Sequence, residues 1–170
     1  MRPLLILPLL AALGVARTLP GHLIYEHGKA SSRSVRNNGD DPEVNMTAPE
    51  LMQQWGYPVE VAQATTDDGY VLEIHRIPWG RSGPAPGNPC RPVVFMQHGT
   101  MGDSSHWTTN LPEQSAGFIF ADAGFDVWLG NVRGTTYSKH HTTLDPASEK
   151  FWEFSWDEYA LKDLETMVDH

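Results

Sequence analysis

Arg91-Pro92-Val93-Val94-Phe95-Met96-Gln97-His98-Gly99-Thr100-Met101-Gly102 is the stretch whose reading decides the fold. Val93 to Met96 is a short unbroken apolar run, the pattern of a strand buried on both faces of a parallel sheet. It stops abruptly at His-Gly-x-x-Gly. Glycines after such a strand let the chain turn sharply and bring bare backbone N–H groups close to a ligand. Donors held that way stabilise negative charge that develops in a transition state. The Thr100 N–H is the candidate donor, with His98 and Gly99 shaping its loop. An ordinary strand-to-loop exit remains the plainer alternative for this stretch taken alone.

The chain on either side favours an α/β fold. Downstream, Gln114 to Gly124 has apolar spacing suited to a helix packed on a sheet, with Gly124 as its stop. Phe125 to Leu129 reads as a second buried strand, so residues 93–129 form a βαβ unit with parallel strands. A long polar loop, Asn131 to Lys150, follows. Ser155-Trp156-Asp157-Glu158 is then a capping box. Ala160, Leu164, Met167 and Val168 fall on one face of the helix it starts. Upstream, Thr47-x-x-Glu50 caps a short helix over 48–55, closed by Gly56. Two alternating runs, 59–65 and 70–77, flank Asp67-Asp68-Gly69 and read as a β-hairpin. The Pro- and Gly-rich residues 78–92 form a loop.

The N-terminus has the layout of a signal peptide: Arg2, an apolar run from Leu4 to Val15, and small residues at Gly14-Val15-Ala16. Removal of residues 1–16 and entry into a secretory route, to a secreted or lysosomal destination, are expected. That run is short for a bilayer span, and no transmembrane segment is expected. Residues 17–42 read as a flexible polar leader, and 43–170 as one partial domain. Asn45-Met46-Thr47 is a glycosylation sequon. The net charge of −9 supplies no basic face, which argues against nucleic acid as a partner. The single cysteine, Cys90, excludes an internal disulfide framework. No cofactor or metal motif is present, and none is expected. The oligomeric state is not legible.

Other candidate residues have bland readings that outweigh the functional ones. His140-His141 has no acidic or cysteine neighbours and reads as a solvated pair. His98 has no nucleophile nearby to serve, so buttressing the glycine loop suits it better than general-base work. His75 reads as a surface residue on the outer face of its strand. Asp122, Asp126 and Asp157 are each conceivable as a triad acid, but Asp157 fits helix-start electrostatics. Trp107, Trp128, Trp152 and Trp156 sit in apolar runs or beside helix starts, which suggests packing rather than sugar stacking. There is no Gly-x-Ser-x-Gly anywhere in the chain.

Together these residues resemble the acid lipase family, the gastric and lysosomal lipases with related steryl-ester hydrolases. The likeness rests on His98-Gly99-Thr100-Met101-Gly102 with Trp107, and on the long string from Phe118 through Gly130-Asn131-x-Arg133-Gly134. Tyr137-Ser138-x-x-His141 and Phe151-Trp152-x-Phe154-Ser155-Trp156-Asp157-Glu158 continue it. Asn45 to Ala48, Trp55-Gly56-Tyr57-Pro58 and Thr66-x-Asp68-Gly69-Tyr70 extend it upstream, so it covers about 42–170. The resemblance implies the N-terminal part of an α/β-hydrolase fold and hydrolysis of lipid esters, triglyceride or steryl ester, at a lipid–water interface. It also implies a Ser-Asp-His acyl-enzyme mechanism, with His98, Gly99 and Thr100 in the oxyanion loop. Family order puts the nucleophile elbow, acid, base and lid beyond His170. The 170-residue chain is then expected to be inactive on esters by itself, with an open sheet edge at 93–97. Thr100 and Val132 depart from the family pattern, which has a bulky apolar residue and a small polar residue there. The alternative is a non-catalytic truncated homologue that at most binds lipid or a partner.

Overall fold

A computed structural model of the chain describes residues 42–84 and 90–170. The expected signal peptide and all of the leader but Pro42 lie outside the described residues. The described residues fall within a single unit, Asp40–His170. Its elements begin with helix α1 (Ala48–Gln54), strands β1 (Glu60–Thr65), β2 (Tyr70–Ile77) and β3 (Val93–Gln97), helix α2 (Ala116–Asp122) and strand β4 (Asp126–Gly130). The short strand β5 (His140–His141) follows. The last helix has three pieces: α3 (Trp156–Glu158), a π segment (Tyr159–Asp163) and α4 (Leu164–Asp169).

The local signals in the sequence act as written. Thr47 caps α1 in a full capping box, its amide donating to Glu50 Oε2 at 2.8 Å. Gly56, at φ 83°, ends α1. Tyr57 N–H donates to Met52 O and Gly56 N–H to Gln53 O, the paired bonds of a Schellman motif. Gly124, at φ 94°, closes α2 the same way, with Phe125 N–H to Phe120 O and Gly124 N–H to Ala121 O. Each motif turns the chain straight back toward the sheet.

The sheet runs β1-β2-β4-β3, with β5 beside the start of β2. β2 is antiparallel to β1 and β4, whereas β3 and β4 are parallel, as expected of a βαβ unit. Two apolar clusters follow the alternation of side chains along the strands. Ile77, Val127 and Leu129 join Met52, Tyr57, Phe118 and Ala121 from α1, its exit turn and α2. Leu72 and Ile74 join Ala64, Tyr70, Val132, Phe151 and Met167. The sheet is therefore covered on both faces, by α1 and α2 on one and by the C-terminal helix with Phe151 on the other.

Three expectations need correction. The Val93–Met96 run is not buried on both faces. Among the described residues β3 is one of the two end strands of the sheet, its residues range from exposed to half-buried, and Val93 is 64% exposed. The strand with the fully buried character is β4. Secondly, His75 is not on an outer face: it is 0% exposed, because β2 lies inside a sheet covered on both sides. Thirdly, the last helix does not bury Ala160, Leu164 and Val168. Its inward residues are Asp163 and Met167, while Leu161, Leu164 and Val168 are exposed. The π segment adds a residue to the turn and changes the phase of the helix. Asp163 meets a buried partner there.

That partner is Arg133, 1% exposed. Its Nε and Nη2 donate to Asp163 Oδ1 at 2.8 and 2.7 Å, and its own amide donates to Asp163 Oδ2 at 2.9 Å. Nη1 and Nη2 donate to Asp68 at 2.8 and 3.1 Å. The guanidinium lies 4.0 Å from the centre of the Tyr70 ring. The hairpin turn, the loop after β4 and the last helix are thus joined at one side chain. Removing one partner of such a buried pair leaves the others uncompensated and costs about 3–5 kcal/mol. Arg133→Ala is therefore expected to lower unfolding stability by about that much in denaturant titration, and a loss below about 1 kcal/mol would contradict the role given to this residue.

Candidate functional site

The glycine loop leaves β3 at His98, which is 6% exposed. Its Nδ1 lies 2.7 Å from Gly99 O, and its Nε2 accepts from Val132 N–H at 3.3 Å. A carbonyl only accepts, so Nδ1 carries the proton and Nε2 is the bare acceptor, which is the neutral ring. Burial pushes its pKa below the ordinary histidine value, although its bond to Gly99 works the other way. His98 therefore braces the loop, as the sequence suggested.

Gly99 to Gly102 forms a β-turn closed by Gly102 N–H to Gly99 O at 3.1 Å. Met101 occupies its third position at φ 63°, the one non-glycine residue with positive φ among the described residues. Its side chain is 99% exposed. Holding a non-glycine residue there costs roughly 1 kcal/mol or more, a strain found most often at functional sites. Among the described residues, the N–H of Thr100 donates to no acceptor. Thr100, Met101 and Gly102 line one wall of a cleft of about 330 Å³. Trp152, Phe154 and Tyr159 contribute aromatic surface to it, and Lys139 holds its ammonium 5.8 Å from the centre of the Trp152 ring. An unpaired backbone donor thus sits beside an aromatic, partly apolar cleft. A larger cleft of about 520 Å³ lies between β1 and the last helix, away from the glycine loop.

Behind the loop lies a cluster that the sequence did not disclose. Ser104, His75 and Asn131 are each 0% exposed. Ser104 Oγ is 2.8 Å from His75 Nδ1, and His75 Nε2 is 2.8 Å from Glu73 Oε1. Burial lowers the His75 pKa, against the pull of Glu73. The ring is accordingly neutral, with its proton on Nε2 toward the carboxylate and Ser104 Oγ–H donating to Nδ1. Serine, histidine and acid are hydrogen-bonded in series, but with serine on Nδ1 and the acid on Nε2, the reverse of a hydrolytic triad, and Ser104 has no exposed surface for a substrate to reach. No sequence motif announces the set: Ser104 and His75 are 29 residues apart, and only the sheet brings them together.

The other candidates have structural partners. His141 Nε2 lies 2.8 Å from Asp68 O, while its Nδ1 accepts from the amides of Thr143 and Leu144 at 3.0 Å. His140 and His141 pair with Val71 and Tyr70 as strand β5, inside what was read as plain loop. Asp126 binds Arg76 through both oxygens at 2.8 and 2.6 Å. Asp122 accepts from Tyr57 Oη at 2.7 Å and from Arg81 Nη2 at 3.0 Å. Asp157 is exposed in the first turn of α3, with its amide donating to Ser155 Oγ. Trp107 and Trp128 pack half-buried against the two cores. Trp152 and Trp156 are exposed, contrary to the packing expected of them. Asn45 is exposed at the end of a single 3-10 turn, Pro42–Asn45.

Residues 48–111 match the family described as a partial alpha/beta-hydrolase lipase region. Over 138 residues the chain is 57% identical to Lipase lipl-5 of Caenorhabditis elegans, covering 81% of this chain and 34% of that protein. It is 50% identical over 129 residues to the human lysosomal acid lipase/cholesteryl ester hydrolase, covering 76% and 32%. With the gastric triacylglycerol lipase of Bos taurus it shares 46% identity over 129 residues, with the same coverage. The chain belongs to the acid lipase family. It spans about a third of the length of the curated relatives it matches, in their N-terminal region. Within this acid lipase region, both departures noted in the sequence have a structural setting. The Thr100 side chain is exposed, so its identity leaves the turn unchanged. Val132 is buried in the second core, and the bond it makes to His98 uses its backbone, which any residue but proline provides.

The buried imidazoles set the sign of a pH dependence. Both His75 and His98 have folded pKa values below about 6.5. Between the folded value and 6.5 the unfolded chain holds more protons, so stability falls as pH drops through that window. Asp68, lowered from 3.8 to about 2 because bonds from Arg133 and Thr66 outweigh its burial, adds stability that is lost only as pH falls from 3.8 toward 2. Histidine ring titration by NMR should therefore show two resonances moving below pH 6.5, and titration of His98 at or above that value would contradict the bracing geometry.

Proposed function

We propose that this chain is the N-terminal portion of a secreted or lysosomal acid lipase that hydrolyses fatty acyl esters, triglyceride or steryl ester, at a lipid–water interface. The observation that supports this best is the Thr100 N–H in the Gly99–Gly102 turn, without an acceptor among the described residues, in a residue that lines a cleft with aromatic side chains. In this reading a serine attacks the ester carbonyl, and the carbonyl oxygen takes on negative charge. The Thr100 amide donates to that oxygen, stabilising a charge present only in the transition state. A histidine passes the serine proton to the leaving alcohol, and water then releases the fatty acid from the acyl-enzyme. Serine, acid and base are assigned to residues that follow His170. Ser104 is excluded as nucleophile by its burial. Met101, fully exposed beside the donor, offers an apolar contact for lipid.

The product of the complete reading frame, expressed in a eukaryotic secretory host, provides the test. It is expected to hydrolyse a fatty ester, with turnover abolished by a serine-acylating inhibitor. Thr100→Pro removes the one N–H at the second position of the turn, where proline's fixed φ is tolerated. That substitution should lower kcat by roughly 10²–10³-fold. Parental kcat in Thr100→Pro would assign the donor elsewhere, and no ester turnover in the parent would sink the lipase reading.

Passage through the secretory route has its own readout at Asn45, whose sequon is exposed and whose Thr47 lies at the N-cap of α1. Glycosidase treatment should increase gel mobility of the secreted product, and Asn45→Gln should reduce that shift by one glycan. N-terminal sequencing that finds Met1 retained would refute the signal peptide.

A further inference from the structure

We infer that His75 is a positioning residue for the glycine loop, acting through the Ser104 hydroxyl rather than through any contact with substrate. This deepens the oxyanion reading of the loop and rests on it for the link to ester hydrolysis.

The inference starts where the β2–β4 ladder ends. Its last pair is Ile74 with Gly130. One residue further along, side chains take over from backbone. Asn131 Nδ2 donates to Glu73 O at 3.0 Å, and Glu73 N–H donates to Ser138 Oγ, also at 3.0 Å. Ser138 Oγ–H in turn donates to Asn131 O at 2.8 Å. Both backbone groups of Glu73 are thus satisfied, and the Asn131 amide is held in one orientation with Oδ1 free to accept. That oxygen takes the Ser104 amide proton at 2.8 Å. Ser104 Oγ–H is taken by His75 Nδ1, and His75 is held by Glu73 Oε1. The ring is closed from Glu73 through His75, Ser104 and Asn131 back to Glu73. The Tyr137 ring packs edge-on against the imidazole, with centroids 4.7 Å apart.

The consequence concerns residues 98–104. Their first residue is tied to Val132 through the His98 ring, and their last to Asn131 through the Ser104 amide. Two consecutive residues after β4 hold both ends of the segment that contains the Thr100 donor. Among the described residues only His75 reaches the Ser104 hydroxyl, and an unfilled bond there would leave a buried polar group without a partner.

The imidazole makes two bonds from two nitrogens, and substitution separates them. In His75→Asn the amide falls near Nδ1, keeps the Ser104 bond and gives up Glu73. In His75→Gln it falls near Nε2, keeps Glu73 and abandons Ser104. Hydrogen–deuterium exchange of the full-length chain reads the loop directly. The peptide spanning 98–107 is expected to exchange on the order of tenfold faster in His75→Gln and in Ser104→Ala. His75→Asn should keep parental protection there, and residues 126–130 should be unaffected in all three. Equal loop exchange in His75→Asn and His75→Gln would overturn the inference, as would a rise spread evenly over the sheet. Ser104→Ala, which removes a single oxygen, keeps the question answerable if His75→Gln fails to fold. In the ester assay, kcat should fall with little change in KM for His75→Gln and recover in His75→Asn. The expected exchange pattern with unchanged kcat would refute the oxyanion role of the loop and leave the positioning role of His75 standing.

Discussion

A guanidinium cannot be left in a protein interior without partners, and the placement of Arg133 is the constraint on which much of this structure depends. Two carboxylates and an aromatic face surround it. Each partner comes from a different part of the chain: Asp68 from the hairpin turn, Asp163 from the last helix, Tyr70 from the start of β2. Asp163 and Met167, four residues apart, turn inward together, while Leu161, Leu164 and Val168 are exposed. Burial pushes the Asp163 pKa up, and only the bonds from Arg133 oppose it.

Local elements were legible from sequence because their signals are local. Thr47-x-x-Glu50, Ser155-x-x-Glu158, Gly56, Gly69 and Gly124 act within a few residues, so the bounds of α1, α2, β1 and β2 fall within about two residues of those read from the pattern. The parallel pairing of β3 with β4 was legible for a related reason, since a strand-helix-strand run leaves few ways to connect. Burial was less legible. An apolar run like Val93–Met96 says that a strand prefers to be covered, not how many neighbours it has. His75 was misread because alternation identifies an outer face only when a sheet has one covered side, and β2 is covered on both.

The candidate site divides along the same line. The tie from His98 to Val132 spans 34 residues, whereas the Gly99–Gly102 turn and the bond from His98 to Gly99 O follow from residues adjacent in sequence. The Glu73–His75–Ser104–Asn131 ring does not, because its members sit on β2, on the loop after β3 and on the loop after β4. Each looks ordinary alone. Hydrogen-bond arithmetic gives the one available hint: buried serine, histidine and asparagine all need partners, but burial itself had first to be known.

The attachment of both ends of segment 98–104 to Asn131 and Val132 has a mechanical meaning. Although the loop is covalently an extension of β3, its frame of reference is the end of β4. A displacement of β4 is therefore passed to both ends of the loop, and the placement of the Thr100 amide is referred to a strand whose residues are buried except for the half-buried Trp128.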